Sequence, residues 1–321
     1  MEEERIQDFL NWCRIRNVKE HTIEGYKWIL RQFLTLTKGE TEEDVIFYKE
    51  TMRNSNNKES TISKKLIVVK LWFKFNNKMN IYEEIKVGRP ERKLELNSLV
   101  TKQDLNKLLL CVDKLKASKI QKLRDRAFIE FLYWTGCRLG EILNVKMIDI
   151  TKKENGIVFK VDGKTGKREV FVLFKDILFL NLWIEKNKSK WLFPSVRYHL
   201  ADKPMSDVVA NFILHNLQKH INKRLHAHLF RHSAATRMAK EGFNESFMRH
   251  YFGWSQRSNM PSYYTHLVES DIEEIMLRKE KVIKETQTII FKPNKTIIQG
   301  LLQDPEVREI IKQEMGVNEY E

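Results

Sequence analysis

Residues 228–266 have the sequence HLFRHSAATRMAKEGFNESFMRHYFGWSQRSNMPSYYTH, which combines histidine, arginine, tryptophan and tyrosine in one polar segment. In a helix, His228 and Arg231 lie on one face less than one turn apart, so an imidazole and a guanidinium can reach the same small anion. A guanidinium can donate two hydrogen bonds to a phosphate, and an imidazole exchanges a proton near neutral pH. The pair predicts a phosphate site, although a His-x-x-Arg pair by itself also occurs in ordinary amphipathic helices.

A second cationic segment lies upstream at residues 135–143, TGCRLGEIL. The apolar pattern predicts a helix over residues 121–135 that Gly136 ends, and another helix directly after it. Arg138 therefore lies at the junction of two helices, and the alternative is a surface arginine that caps the first of them. We expect Glu141, three residues further on, to orient an arginine rather than to act as a catalytic acid.

Between these two segments the hydrophobic pattern changes from helical to alternating. Residues 157–161 and 170–174 are β-branched and aromatic, and they flank the sequence DGKTGK at residues 162–167. This pattern predicts a β-hairpin with Lys164 at its tip. A nucleotide-binding P-loop is excluded, because the first glycine of that motif is missing and a strand rather than a helix follows.

In this order, the three segments resemble the motifs of the tyrosine recombinase (integrase) family. The His-x-x-Arg-His motif, the Phe-Gly-Trp step and the Tyr-x-His close of that family match His228, Arg231, His232, Phe252, Gly253, Trp254, Tyr264, Thr265 and His266. The resemblance is strong over residues 101–270 and concerns architecture alone over residues 1–84. It implies a mainly α fold with a small β-hairpin or sheet (α+β), in which an N-terminal helical core-binding domain precedes the catalytic domain.

The same resemblance implies a site-specific DNA recombinase that cuts and rejoins strands through a covalent 3′-phosphotyrosine, without metal, ATP or another cofactor. Tyr264 is the implied nucleophile. Arg138 and Arg231 are implied to clamp the phosphate oxygens, and His228 to assist proton transfer from the tyrosine. Lys164 is implied to protonate the leaving 5′-oxygen.

Two residues of this implied site have alternatives. Trp254 stands where many family members have histidine; it is expected to donate its indole N–H to the phosphate, or else to pack against the helix that carries Arg231. Tyr263 competes with Tyr264 as nucleophile, and Tyr264 is preferred because it alone precedes Thr-His. Two other functions also stay open, a type IB topoisomerase and a catalytically silent DNA-binding regulator.

The positive charge is concentrated in the segment that holds the motifs. The net charge is +14 over 321 residues, and counts along the chain give +1 for residues 1–84, +2 for 85–100, +14 for 101–269 and −3 for 270–321. A basic surface of this kind attracts the DNA backbone, although solvated lysine faces explain part of the excess. The expected partners are double-stranded DNA with a specific recombination site and further copies of the chain, as a dimer of dimers at synapsis.

Composition also limits the cellular setting. The three cysteines are far apart and odd in number, which favours reduced thiols, and no metal-ligand spacing is present. No apolar run is long enough to cross a membrane, and the N-terminus does not resemble a signal peptide. We therefore expect a cytoplasmic protein that works at the nucleoid and not at a membrane.

Hydrophobic periodicity, the linker composition and the family resemblance together predict four regions. Residues 1–84 carry helical apolar stripes that predict four short helices, and the resemblance makes this region a DNA-clamping domain. Residues 85–100 contain a charge cluster with glycine and proline and predict a linker. Residues 101–287 form the expected catalytic domain. Residues 288–321 form a tail that either is exchanged between subunits or folds back.

Overall fold

The computed structural model of the protein describes residues 2–88, 95–163, 166–195 and 203–269. The chain divides into two compact units, Met1–Leu94 and Glu95–Glu321. Several predicted features lie outside the described residues: Lys164, the middle of the predicted linker, the tail at 288–321, and residues 271–284, whose mixed acidic and basic sequence predicts a helix. Both described ends of the linker segment are packed, since Ile85 is buried in the first unit and Leu99 and Val100 are buried in the second.

The described part of the first unit is helical and contains five helices rather than the four predicted. They are α1 (Glu2–Ile15), α2 (Glu20–Leu36), α3 (Glu42–Asn54), α4 (Glu59–Phe75) and α5 (Met79–Glu84). The short α5 was missed because six residues are too few for a helical apolar stripe.

The predicted apolar stripes of this unit form its core. The residues concerned are Ile6, Phe9, Leu10, Cys13, Ile23, Leu30, Phe33, Ile62, Leu66, Val69 and Phe73, all of which are buried, and Tyr26, which is partly buried against the same core. The sequence places Lys64, Lys65 and Lys70 on α4, where each could face DNA. Lys65 is unsuited to that role, because it is buried and donates to Oε1 of Gln32 at 2.7 Å.

The second unit combines helices with one small sheet. Its helices are α6 (Lys102–Cys111), α7 (Lys119–Thr135), α8 (Leu139–Leu143), α9 (Leu178–Lys186), α10 (Asp207–Gln218), α11 (Ala227–Lys240), α12 (Glu245–Phe252) and α13 (Met260–Glu269). The described strands are β1 (Ile150–Lys153), β2 (Gly156–Gly163) and β3 (Gly166–Leu173). Short 3₁₀ turns cover Leu96–Ser98, Val112–Lys114, Met147–Asp149 and Phe174–Asp176.

The predicted hairpin is present as β2 and β3, which pair antiparallel from Gly156↔Leu173 to Gly163↔Gly166. The pairing extends to β1, so the described strands form a three-stranded sheet in the order β1-β2-β3. Strand β1 was not predicted, because four mostly exposed residues show no alternating pattern. The inner face of the sheet packs on α7, where the rings of Phe131 and Phe159 meet edge to face at 4.7 Å. The fold class is the predicted one, mainly α with a small antiparallel sheet.

Local signals account for the helix boundaries near the site. The spacing of Thr101 and Asp104 predicts a capping box, and the two residues form it at the start of α6, where it satisfies two backbone N–H groups. Gly136 ends α7 in the left-handed region at φ 57°, as predicted. Among the described residues, no helix is both long and apolar enough to span a membrane.

Candidate phosphate-binding and strand-transfer site

The turn after α7 places Arg138 at the edge of the site. A Cβ atom on Gly136 would lie 2.7 Å from Cβ of Ala234, so the glycine lets α11 pack closely against the end of α7. The chain then passes through buried Cys137, and Arg138 becomes the N-cap residue of α8. The Arg138 side chain is 30% exposed, so solvent reaches its guanidinium.

Helix α11 carries the His-x-x-Arg pair. His226 caps the helix by accepting a hydrogen bond from the backbone N–H of Leu229 at 3.1 Å. His228 follows in the first turn with an exposed side chain, and Arg231 lies one turn further on with 7% exposure. The guanidinium of Arg231 lies over the rings of Phe252 and Trp254, 5.1 and 5.5 Å from their centroids.

The C-terminal end of α12 gathers three arginines from three other elements. Successive carbonyl oxygens accept one hydrogen bond each: Tyr251 from Nε of Arg168 at 2.6 Å, Phe252 from Nη2 of Arg231 at 2.6 Å, and Gly253 from Nη2 of Arg138 at 3.2 Å. The last carbonyls of a helix lack intrahelical partners and carry partial negative charge, so they are suited to hold cations. This helix end therefore assembles the cationic cluster.

Glu141 binds two of these arginines in the interior. Its carboxylate accepts Nη1 of Arg138 at 2.8 Å and both terminal nitrogens of Arg168 at 2.9 and 2.8 Å. Burial acts to raise the pKa of Glu141, but the hydrogen bonds and charges of the two arginines outweigh it, so the pKa is lowered and the group stays ionised. The expectation that Glu141 orients an arginine agrees with this geometry.

The nucleophile candidate Tyr264 is buried beside Trp254. The two rings stack with centroids 5.7 Å apart, and Trp254 also stacks on Phe252 at 4.8 Å. The hydroxyl group of Tyr264 forms a hydrogen bond with Nδ1 of His232, and the phenol is 1% exposed. Trp254 therefore packs against rings of α12 and α13, and it meets the helix that carries Arg231 through the guanidinium of that residue.

Two pKa shifts describe the electrostatics of the site. Burial, together with the neighbouring Arg138 charge, lowers the pKa of Arg231 to about 10, so Arg231 remains a cation at neutral pH. Partial desolvation and the charges of Arg231 and Arg138 lower the pKa of His228 below its usual value, so its imidazole is mainly neutral at pH 7 even though solvent reaches it. A neutral imidazole beside fixed cations can accept a proton, and the cations can stabilise an anion.

A cleft of about 510 Å³ opens next to this cluster, between the hairpin and α12. Trp254 and the basic residues Lys167, Arg249 and His250 are among the residues that line it. Basic side chains along a cleft attract a polyanion such as the DNA backbone.

The structure thus brings Arg138, His228, Arg231, Trp254 and Tyr264 into one region, whereas Lys164 lies outside the described residues. The sequence analysis assigned no role to two residues of this site, Arg168 and His232. Arg168 occupies an inward-facing position of β3, in line with the buried apolar residues of that strand. A charged residue at such a position could have been recognised in the sequence as one that needs a buried partner. His232 was recognised only as part of the motif, since its contact with Tyr264 spans 32 residues.

Residues 98–270, more than half of the chain, match the model of the phage integrase family. The chain belongs to this family. Similar proteins include the tyrosine recombinase XerA of Pyrococcus horikoshii, 23% identical over 87% of this chain and 94% of the relative. The tyrosine recombinase XerC of Staphylococcus aureus is 25% identical over 88% of this chain and 99% of the relative. The predicted family and the predicted enzyme class, a tyrosine recombinase, are confirmed.

Solved structures show the same fold. The lambda integrase dimer bound to a COC′ core site has a TM-score of 0.64 and 14% identity, covering 82% of this chain and 76% of the integrase. The XerH site-specific recombinase bound to its difH substrate in a pre-cleavage complex has a TM-score of 0.59 and 19% identity, covering 78% of each chain. The architecture of this recombinase is therefore shared, although few side chains are identical.

Proposed function

We propose that this recombinase cuts and rejoins DNA at a specific site through a covalent link between Tyr264 and a 3′-phosphate. The observation that carries the proposal is that Arg138 and Arg231 meet at the end of α12, where Arg231 also lies over the indole of Trp254 that stacks on Tyr264. The relatives and the DNA-bound structures of the same fold support double-stranded DNA as the substrate.

In the proposed reaction, the phenol oxygen of Tyr264 attacks the phosphorus and the bond to the 5′-oxygen breaks. A free tyrosine has a pKa near ~10, so only about one molecule in a thousand is a phenolate at pH 7. The neutral imidazole of His228 takes up the phenol proton, while Arg138 and Arg231 stabilise the charge that builds on the phosphate oxygens. A proton then passes to the leaving 5′-oxygen, and we assign its donation to Lys164.

The burial of Tyr264 adds a step to this scheme. A side chain that is 1% exposed cannot bond to a DNA phosphate in place, so its ring must move outward when DNA binds. Tyr264 lies on α13, whose ten residues follow the loop after Trp254, and a shift of this helix would separate the phenol from His232. We propose that DNA binding exchanges the contact with His232 for a contact with the phosphate.

The remaining parts of the proposal concern assembly. The helical first unit, Met1–Leu94, is proposed to clamp the DNA, and several copies of the chain are proposed to act together on paired sites. Exchange of one phosphodiester for another needs no ATP, because the covalent intermediate keeps the bond energy. With chromosomal or mobile DNA as its substrate, the enzyme is proposed to work at the nucleoid.

The test is covalent trapping on a random-sequence duplex library. The parent protein is expected to form adducts that survive denaturant, and sequencing of the attached DNA identifies the site. Tyr264→Phe is expected to abolish the adducts while DNA affinity stays within about threefold, since one hydroxyl adds little to phosphate-dominated binding. Tyr263→Phe is the matched control and keeps the adducts. Adducts that survive in Tyr264→Phe and vanish in Tyr263→Phe would reverse the assignment of the nucleophile.

A further inference from the structure

Arg168 lies on a hairpin strand, but its side chain is buried and makes several polar contacts. It lies on β3 with 7% exposure, and its guanidinium donates to the two oxygens of Glu141 and to the carbonyl of Tyr251. Burial acts to lower the pKa of Arg168, but the hydrogen bonds and charge of Glu141 raise it, so the group is a permanent cation. A buried cation held by three strong hydrogen bonds has a well-defined orientation.

Glu141 transmits that orientation to Arg138. Both oxygens of its carboxylate are shared between the two arginines: Oε1 accepts Nη1 of Arg138 at 2.8 Å and Nη1 of Arg168 at 2.9 Å. Oε2 accepts the backbone N–H of Arg138 and Nη2 of Arg168, both at 2.8 Å. The two hydrogen bonds from Arg168 to Glu141 therefore restrict the carboxylate that also holds the side chain and the backbone of Arg138.

The two arginines differ in what can reach them. The side chain of Arg138 is 30% exposed, whereas that of Arg168 is 4% exposed and that of Glu141 is 3% exposed. A phosphate can contact Arg138 directly, whereas the donors of Arg168 are directed to Glu141, Tyr251 and Cys137. Any effect of Arg168 on the phosphate must therefore pass through Glu141 or through the end of α12.

The backbone of the hairpin is closely fitted to this ion cluster. A Cβ atom on Gly163 would lie 2.3 Å from Oε1 of Glu141, so only glycine leaves room for the carboxylate at that position. Gly163 pairs with Gly166 at the end of the hairpin, two residues before Arg168. The same cluster thus attaches the hairpin to α8 and to α12.

We propose that Arg168 is a positioning residue for strand transfer, which holds Glu141 and the end of α12 so that Arg138 faces the phosphate. This inference rests on the proposed function. Without Arg168, the buried carboxylate keeps one arginine partner in place of two, and an under-solvated carboxylate draws donors toward itself. Nη2 of Arg138 then leaves the carbonyl of Gly253 for Glu141, and the guanidinium turns away from the phosphate.

The experiment measures single-turnover cleavage of a nicked suicide substrate, whose sequence comes from the DNA trapped on the parent protein, together with DNA affinity and thermal melting. Arg168→Met keeps the bulk and removes the donors, and it is expected to slow cleavage by about 10 to 100-fold at saturating DNA, somewhat less than the loss of a direct phosphate contact. Arg168→Lys restores one donor and is expected to recover part of the rate. Lys160→Met, an exposed position on β2, removes the same charge and controls for general attraction to DNA.

A second comparison separates positioning from folding. In an Arg138→Ala background, Arg168→Met is expected to slow cleavage by less than about threefold further, because its route to the phosphate is already lost. Equal slowing in both backgrounds would overturn the proposal, and so would cleavage by Arg168→Met within about threefold of the parent. If Arg168→Met does not fold, Arg168→Lys decides: a rate equal to that of Lys160→Met contradicts positioning. Absence of any adduct in the parent would instead contradict the proposed function.

Discussion

The indole of Trp254 lies nearly parallel to the phenol of Tyr264, with ring centroids 5.7 Å apart and planes inclined by 15°. Arg231 lies over the same indole at 5.5 Å, so one side chain contacts both a phosphate-binding candidate and the candidate nucleophile. Trp254 therefore packs against the candidate nucleophile and also lies beside the candidate phosphate site. Substitutions that keep either the ring or the N–H donor can separate these two contributions.

We expect Trp254→His to cleave within about tenfold of the parent, because histidine keeps an N–H donor. Trp254→Phe keeps the apolar ring and loses the donor, and it is expected to slow cleavage by about 10 to 1,000-fold, the scale of one contact to a developing oxyanion. Single-turnover cleavage measures both, with thermal melting as the folding control. A fast phenylalanine variant and a slow or unfolded histidine variant would make Trp254 a packing residue only.

The lowered pKa of His228 predicts the acidic side of the pH profile. An imidazole whose pKa lies below its usual value of about 6.5 is still more than half neutral at pH 6.5 and becomes mainly protonated only at lower pH. Cleavage at subsaturating DNA, which reports the free enzyme, is therefore expected to keep more than half of its plateau rate at pH 6.5 and to fall further at lower pH. His228→Gln should be slower and should lack this fall. An acidic limb with its midpoint above pH 6.5, or one that persists in His228→Gln, would contradict the role of His228.

Chelation provides an independent check of the catalytic groups. Stabilisation of the negative charge on the phosphate is assigned to Arg138 and Arg231, which take the place that metal ions hold in other phosphoryl-transfer sites. Adduct formation in excess EDTA is therefore expected to equal that in buffer. Loss of adducts with EDTA and their recovery with magnesium would show that these arginines do not suffice.

The uneven charge of the chain predicts which part carries the electrostatic attraction to DNA. Residues 101–269 have a net charge of +14, against +1 for residues 1–84. Affinity should fall steeply with salt, and a chain of residues 95–321 should keep most of that slope, because each neutralised phosphate releases counterions. Titrations at several salt concentrations compare this chain with residues 1–94. A steeper slope for the N-terminal piece would contradict the charge argument.

Gly136 provides a prediction on stability. Alanine there must adopt a positive φ of 57° and would bring a methyl group to 2.7 Å from Ala234, so the free energy of unfolding should fall by about 2 to 4 kcal/mol. The control is Gly140→Ala, an exposed helical position with nothing within 4 Å, where stability should be unchanged or slightly higher. Urea titrations of both variants measure the difference. Equal urea midpoints for the two variants would show that α11 can move away from residue 136 with little loss of free energy of unfolding.

The sequence by itself determined the local structure that carries the site. Gly136 predicted the end of α7, the alternating residues around DGKTGK predicted the hairpin, and Thr101 with Asp104 predicted the start of α6. These features follow from interactions within a few residues, namely backbone preferences, capping and periodicity. The motifs were also enough to predict the family, because their residue types and order are specific.

Tertiary structure alone decided how those residues meet. Arg138 reaches Gly253 across 115 residues, Arg168 reaches Tyr251 across 83, and His232 reaches Tyr264 across 32. No local pattern encodes such pairs, since they depend on which helix ends and strands pack together. For the same reason the sequence could suggest that Glu141 orients an arginine but could not show that it holds two. The burial of Tyr264 likewise arises from the packing of α13 against α11 and α12, which no single element determines.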